Sequence, residues 1–303
     1  YPPERIEDLR ASVRSNLARI GTFQCHDGGF AFWPAGDGTS DPYVTAWTLV
    51  VARVAADAGY AVDRVVLDRA RKALGDTLRK AKVARLSPDE SAFATFALAL
   101  DGDPAGDLVS SAIASWNDLG RGGLAWLLAA AAQTNAGEVT IGSLIDSLLS
   151  GVVREGDSAY LPAGTTNRGA HGLGSDDVLT TAAAVLALAD VRPDHPLLEP
   201  LVRHLLAARR DGRWATTHEN GLALLAVHAF FRTREAAVPS FRTTPYLGTD
   251  PLTTWEFAGR SAQVQSVSIP TDRLVQAGDI PLSLAMEGQG TQYYTIALAI
   301  ARH

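Results

Sequence analysis

Chemistry in this chain would have to come from few side chains. Cys25 is the only cysteine, and His26 follows it directly. A thiol beside an imidazole has the makings of a nucleophile and its base. Neighbouring residues rarely meet with hydrogen-bond geometry, and a lone cysteine is usually an inert, buried small hydrophobe, so the pair reads as structural. One cysteine can form neither an internal disulfide nor a multi-cysteine zinc site, and it leaves the redox compartment open. His195 and His204 have no second histidine or cysteine three or four residues on, so no metal and no cofactor is expected. His228 is placed on the apolar side of its helix with Leu224, Leu225 and Phe231, as a hydrogen-bonded core histidine. Asp27, Asp176, Asp177 and Glu219 lie near loops that recur along the chain. Two of these carboxylates facing each other could cleave a glycosidic bond. The loop from Tyr160 to Gly174 (YLPAGTTNRGAHGLG) exceeds ordinary connection lengths and carries His171, which makes it a candidate functional loop. Phe30, Phe32, Trp33, Tyr43 and Trp47 read as core aromatics, with a surface for docking a neighbouring module as the other reading of this group.

These residues sit on a helical frame. Residues 4 to about 234 read as helices with short connections. Asp41-Pro42 supplies an N-cap and a first-turn proline, and Val44, Trp47, Thr48, Val51, Val54 and Ala55 follow at helical spacing. Ser175 is expected to start another helix, with Asp176 and Asp177 in its first turn. Further helical runs are expected near 63–82, 88–101, 104–117, 120–134, 138–153, 195–209 and 219–233. A repeat is visible: an aromatic-bearing turn, a polar cap and an apolar helix recur at Asp27 to Val54, Tyr160 to Leu188 and Gly212 to Phe230. Such a unit cannot bury its own apolar face, so the units must stack into a solenoid or a closed ring.

After about Val238 the period changes to two. Ile280, Leu282, Leu284 and Met286 alternate with small or polar residues, as do Tyr294, Ile296, Leu298 and Ile300. Gly288-Gln289-Gly290 is expected to turn a hairpin between them. Gln263 to Ile269 and Leu252 to Phe257 are expected as further strands. The chain thus reads as mainly α (α+β overall): an α/α toroid of helical hairpins over residues 1–237, then a small antiparallel β-sandwich segment over 238–303.

Composition closes several classes. The chain has 303 residues, 47% apolar and 20% charged, enough for a sizeable core and too apolar for disorder. A net charge of −6 without a basic patch argues against a nucleic-acid partner. No stretch reaches the ~20 apolar residues of a membrane span. The first residue is Tyr1 rather than Met, which suggests a piece of something longer.

Gln24 to Trp33 (QCHDGGFAFW) with Ser40 to Ala46 (SDPYVTA) resembles the thioester-containing domain of bacterial alpha-2-macroglobulins, where a Gly-Gly-Phe…Trp loop leads into a "DPW-x-TA" helix. Ser175 to Ala182 (SDDVLTTA) looks like that domain's "SDVETTA" helix start, and Trp214 to Thr217 like its "W-x-ST" turn. Ile269-Pro270 with Leu274 and Gly288 to Tyr294 (GQGTQYY) resembles the CUB-like module that follows. The resemblance covers nearly the whole chain. It implies a fragment of a secreted or periplasmic, broad-spectrum protease inhibitor that traps proteases, non-catalytic in itself. Its partners would be proteases, met through the full-length parent, and neighbouring macroglobulin-like domains. A membrane anchor would lie ahead of residue 1. The family's thioester comes from Cys-x-x-Gln. Here Cys25-His26-Asp27-Gly28 departs from that motif, so the motif would precede Tyr1 or be absent. In complement members a histidine before the equivalent helix assists thioester transfer. His171, four residues before Ser175, is in a similar position, and Tyr160 is the second candidate, as a donor or shield over the thioester.

The rival is an enzyme on the same toroid, a carbohydrate hydrolase or lyase or a terpene-cyclase-like protein using loop carboxylates. Gln24 to Phe30 is also similar to the Gln-x-x-Asp-Gly-Gly-Trp repeat of terpene cyclases, but no DDxxD or DxDD accompanies it. Protein prenyltransferases require a zinc site that these histidines and this cysteine do not offer.

Overall fold

The computed structural model describes residues 3–34, 38–80, 86–100, 105–164, 176–234, 238–259, 264–277, 279–292 and 294–297. The chain forms two compact units, Tyr1–Phe230 and Phe231–His303.

The helical unit alternates two kinds of helix, and burial separates them. α3 (Arg64–Leu78), α5 (Gly106–Ala114), α7 (Glu138–Leu149) and α9 (Leu198–Ala207) each bury one side only. On α9 the buried set is Leu198, Leu201, Val202 and Leu205, one stripe at spacings of three and four. α4 (Pro88–Leu100), α6 (Arg121–Gln133) and α8 (Asp177–Val191) are buried almost all round. Their sequences explain this. In α6 the run Leu124 to Ala131 has no charged residue, and its alanines let neighbouring helices come close. α2 (Pro42–Asp57) and α10 (Thr217–Arg234) belong to the same inner set. α2 packs on α4, α4 on α6 and α6 on α8. α10 meets α2 through ring contacts between His218 and both Tyr43 and Trp47. The inner helices therefore form the ring that the repeat implies, with a one-sided helix between successive members. α1 (Pro3–Arg19) precedes them and leaves Ile6, Leu9 and Val13 exposed.

Three local expectations change here. The helix expected from Ser175 begins at Asp177 with Asp176 as its N-cap, and Ser175 lies outside the described residues. α10 begins at Thr217 rather than 219. A short antiparallel hairpin, β1 (Val153–Glu155) with β2 (Ser158–Tyr160), interrupts the helical run and packs β2 against α9.

The second unit is one antiparallel sheet. β3 (Ser240–Leu247) is central, with β4 (Asp250–Pro251) and β5 (Trp255–Ala258) on one side and β6 (Leu282–Gln289) on the other. Phe241, Thr243 and Leu247 are buried on one face of β3. Their partners on β6 are Gly288, Met286 and Leu282. A short helix, α11 (Thr271–Ala277), lies between β5 and β6 in sequence. The expected hairpin at Gly288-Gln289-Gly290 is corrected: β6 runs through Gln289. Gly288 sits there with φ +119, where a Cβ would lie 2.4 Å from the Ser240 carbonyl, so glycine serves the ladder rather than a turn. Residues 264–269 form no strand, and neither do 294–297. Tyr293 and residues 298–300 lie outside the described set.

Candidate functional site

The chemistry-bearing residues gather where loops enter the inner helices, and their first task there is to hold those helix starts. Asp27 accepts from Gly29 N–H at 3.1 Å and from the Ser40 hydroxyl at 2.9 Å, which fastens the loop ahead of α2. Gln24 donates to the Gly28 carbonyl at 2.8 Å and to the Val66 carbonyl of α3 at 2.7 Å. Gly28 has φ +96, and a Cβ there would stand 2.8 Å from the Arg69 carbonyl, so no other residue fits without strain. The Gln-x-x-Asp-Gly-Gly sequence is therefore accounted for as a clamp between the loop and α3. Cys25 is buried beneath it, and burial with the nearby Asp27 pushes its thiol up, away from the reactive thiolate.

The same device recurs. Asp41 caps α2 by accepting from Tyr43 N–H at 2.9 Å and Val44 N–H at 3.1 Å. One turn on, the Thr45 hydroxyl accepts from Phe30 N–H at 2.9 Å and hangs the loop from the helix. At α8 the Asp176 carboxylate accepts from Leu179 N–H at 2.7 Å, Asp177 accepts from Ala163 N–H at 2.7 Å, and the Thr181 hydroxyl accepts from Leu161 N–H at 3.0 Å. The Thr-Ala of the sequence motif is thus the point of attachment for the preceding loop. α4 and α10 use capping boxes instead. Ser87 N–H donates to Glu90 at 2.8 Å, and Glu90 N–H to the Ser87 hydroxyl at 3.2 Å. The Thr216 hydroxyl donates to Glu219 at 3.0 Å, and Glu219 N–H to Thr216 at 3.1 Å. The neighbouring Asp89 carboxylate reaches across to accept from Gly120 N–H, at the start of α6, at 2.8 Å.

Of the four carboxylates singled out in the sequence, Asp176 lies near enough to Glu219 and to its neighbour Asp177 to feel both. Burial raises the Asp176 pKa, and Glu219 raises it further, against the Leu179 N–H that lowers it. Both carboxylates face backbone N–H groups of their own helix starts, as caps do.

An aromatic cluster fills the ring beside these caps. Tyr43 and Trp47 of α2, Phe93 of α4, Trp126 of α6 and His218 of α10 meet in sequence. Centroid distances are 4.7 Å for Trp47–Phe93, 4.9 Å for Phe93–Trp126 and 5.0 Å for Trp47–His218. The Tyr43 hydroxyl lies 3.0 Å from His218 Nε2. Burial lowers the His218 pKa, with Glu219 opposing, and raises that of Tyr43. The phenol is thus the donor and the neutral imidazole the acceptor. His218 was missed in the sequence. Its signal was the capping box Thr216-x-x-Glu219, which sets it in the first turn of α10.

The other candidates scatter. Phe30 and Tyr43 are buried, whereas Phe32 is 59% exposed and Trp33 80% exposed, so the four do not form one surface. Tyr160 stacks on His204 with centroids 4.7 Å apart. His171 lies outside the described residues. His195 accepts from Leu197 N–H at its Nδ1, 3.2 Å away. His228 is corrected: it is exposed, and the buried face of α10 is Leu222, Ala223, Ala226 and Phe230. No group of three or more metal-ligating side chains occurs among the described residues, and no described helix is long and apolar enough to cross a membrane.

Searching family models gives no match. A curated relative, the alpha-2-macroglobulin homologue of a Nostoc species, is 31% identical over 119 residues, which is 39% of this chain and 6% of that protein. Among solved structures, Salmonella alpha-2-macroglobulin reacted with methylamine superposes with a TM-score of 0.61 at 20% identity, covering 92% of this chain and 18% of that one. Trypsin-activated alpha-2-macroglobulin from Escherichia coli gives 0.58 at 20% identity over 91% of this chain and 18% of that one. The E. coli protein spanning domain MG7 to the C-terminus gives 0.58, with 92% and 43% covered. The likeness to bacterial alpha-2-macroglobulins thus holds in sequence over part of the chain and in fold over most of it, and the chain spans a small part of those proteins.

Proposed function

We propose that this chain is the helical ring and part of the following β-module of a bacterial alpha-2-macroglobulin-like protease trap, acting outside the cytoplasm as a scaffold and not as a catalyst. The observation that carries this reading is the fold match over 92% of the chain to a bacterial alpha-2-macroglobulin. The site geometry supports it: Asp27, Asp176, Asp177 and Glu219 each accept hydrogen bonds from main-chain N–H groups at the helix entries, and the lone thiol is buried. Within this reading the exposed Phe32 and Trp33 face a neighbouring module of the longer protein. Tyr160, its ring held flat against His204, stands at the entry of the loop that carries His171, and the two keep their candidate roles beside a thioester supplied from elsewhere in the parent.

The test pairs the longer protein with this chain alone. A trapped protease keeps its active site, so trypsin held by the parent should still cleave a small peptide amide while sparing a large protein substrate. With the isolated chain in place of the parent, trypsin should cleave both substrates, and methylamine should leave the chain's mass unchanged. Equal cleavage of the protein substrate with and without the parent would overturn the reading, as would saccharide cleavage by the isolated chain.

A further inference from the structure

We propose that the contact between Tyr43 and His218 is a proton-sensitive clasp that closes the helical ring between its first and last inner helices. The seam it closes differs from the others. α4, α6 and α8 leave no large apolar side chain open to solvent among the described residues. α2, by contrast, leaves Val51 at 47% and Val54 at 40% exposure, and α10 leaves Leu224 at 59%. Both helices thus leave apolar side chains partly open to solvent among the described residues. Side-chain contacts that join them near their N-terminal ends include the 3.0 Å hydrogen bond from the Tyr43 hydroxyl to His218 Nε2 and the edge-on meetings of His218 with Tyr43 and Trp47. The hydrogen bond and both ring contacts centre on one imidazole, so this joint answers to the state of that single ring.

Protonation acts on that closure directly. In the neutral pair the phenol donates and Nε2 accepts. An imidazolium carries a proton on Nε2, so the Tyr43 hydroxyl loses its acceptor and the bond must reverse. The cation would also stand half-buried against Trp47. The charged and titratable groups around it are few. On its own helix Glu219 favours the cation but is engaged by Ala215 N–H and the Thr216 hydroxyl. On α2 the Asp41 carboxylate faces its own cap N–H groups. On α4 Glu90 is fully buried and held by Ser87 N–H. At α8 Asp176 faces Glu219. None pairs directly with the imidazole, and burial remains the largest influence on it. The sign follows. His218 titrates lower in the folded ring than in an open chain, where histidine lies near about 6.5. The clasp is therefore fully effective above that range and weakens as pH falls through it toward the folded value.

Hydrogen exchange on the intact chain, corrected for the intrinsic pH dependence, tests this at pH 7.5 and 5.0. Amides in the first turns of α10 and α2 should lose protection at pH 5.0 by about tenfold for each unit that separates the folded and unfolded values. α6 should not change. His218→Gln can still accept from Tyr43 but does not titrate, so its α10 protection should be the same at both pH values. Tyr43→Phe should show the lowered protection already at pH 7.5. The Cε1–H resonance of His218 should titrate below 6.5, and the protection loss should begin near about 6.5 and level off at that resonance's midpoint, which decides the matter even if a variant fails to fold. Unchanged wild-type protection, an equal loss in His218→Gln, or a midpoint above 6.5 would each overturn the proposal.

Discussion

The helical unit and the β unit solve burial differently. In the first, Trp126, Phe93 and Leu127 lie at 2% exposure or less, and every recurring loop is tied to an inner helix by a cap or a threonine hydroxyl. In the second, β3 buries Phe241, Thr243 and Leu247, but the same face continues onto β6 with Leu282 at 40% and Met286 at 43% exposure. Stacked repeats cover one another, because each inner helix is a wall for the next. A sheet of this width has one apolar face and an edge strand, and among the described residues nothing covers that face at β6. The difference predicts where stability resides.

The largest effect should come from truncating the same kind of contact in both units. Phe93→Ala removes a ring that touches Tyr43, Trp47 and Trp126, and should cost about 3–5 kcal/mol, read by urea unfolding followed through the helical circular dichroism. Met286→Ala should cost less than about 1 kcal/mol, because a side chain already open to water loses little transfer energy. Hydrogen exchange of residues 282–289 reads that second cost locally. Comparable losses would mean that β6 is covered in solution and would break the contrast.

A gentler probe uses one substitution in both places. Thr45→Val and Thr181→Val keep side-chain volume but orphan the Phe30 and Leu161 N–H groups, so each should cost about 1–3 kcal/mol. Thr243→Val removes a hydroxyl that donates toward the Ala285 carbonyl or the Gln292 side chain. That carbonyl already faces the ladder, and Gln292 is half-exposed and can turn to water, so the cost should stay under about 1 kcal/mol. Thermal melts of the three variants give the ranking.

What the sequence showed of this contrast depended on how each region uses its side chains. α2, α4, α6 and α8 were legible because caps such as Asp41-Pro42 stand before long apolar runs. β3 was not, because its buried face reads Phe241, Thr243, Pro245, Leu247: a threonine and a proline interrupt the apolar alternation that marks a strand. β6 was legible by its period, but Gly288-Gln289-Gly290 between two alternating runs reads as a hairpin turn, whereas Gly288 is a ladder position with positive φ. On α10 the larger Leu224, Leu225 and Phe231 suggested a face that includes His228. The buried face instead uses Ala223 and Ala226, since close packing inside the ring favours small residues over large ones. That same rotation brought in His218. The motif residues were visible as a resemblance, but their work as loop anchors needed the distances.

The smallest effect concerns Asp176, and it separates a cap from a catalytic acid. Burial and Glu219 raise its pKa in the folded ring. A carboxyl whose folded value lies above its unfolded one binds its proton more tightly when folded. Its contribution to stability is then full below the unfolded value, near about 3.9, and is lost as pH rises through the folded value. At pH 7 the ionised Asp176 therefore weighs slightly against folding. Asparagine caps about as well as aspartate, so Asp176→Asn keeps the bond from Leu179 N–H and discards the charge. The variant should melt at or slightly above the wild-type temperature at pH 7. Near pH 3, where the aspartate is itself neutral, the two should converge. The shift should be small, because this side chain is still partly open to water, which screens it. If Asp176→Asn instead destabilises the ring at pH 7 and not at pH 3, the ionised carboxylate is doing more than closing a helix end. The carboxylates at the helix entries would then have to be weighed again as chemistry.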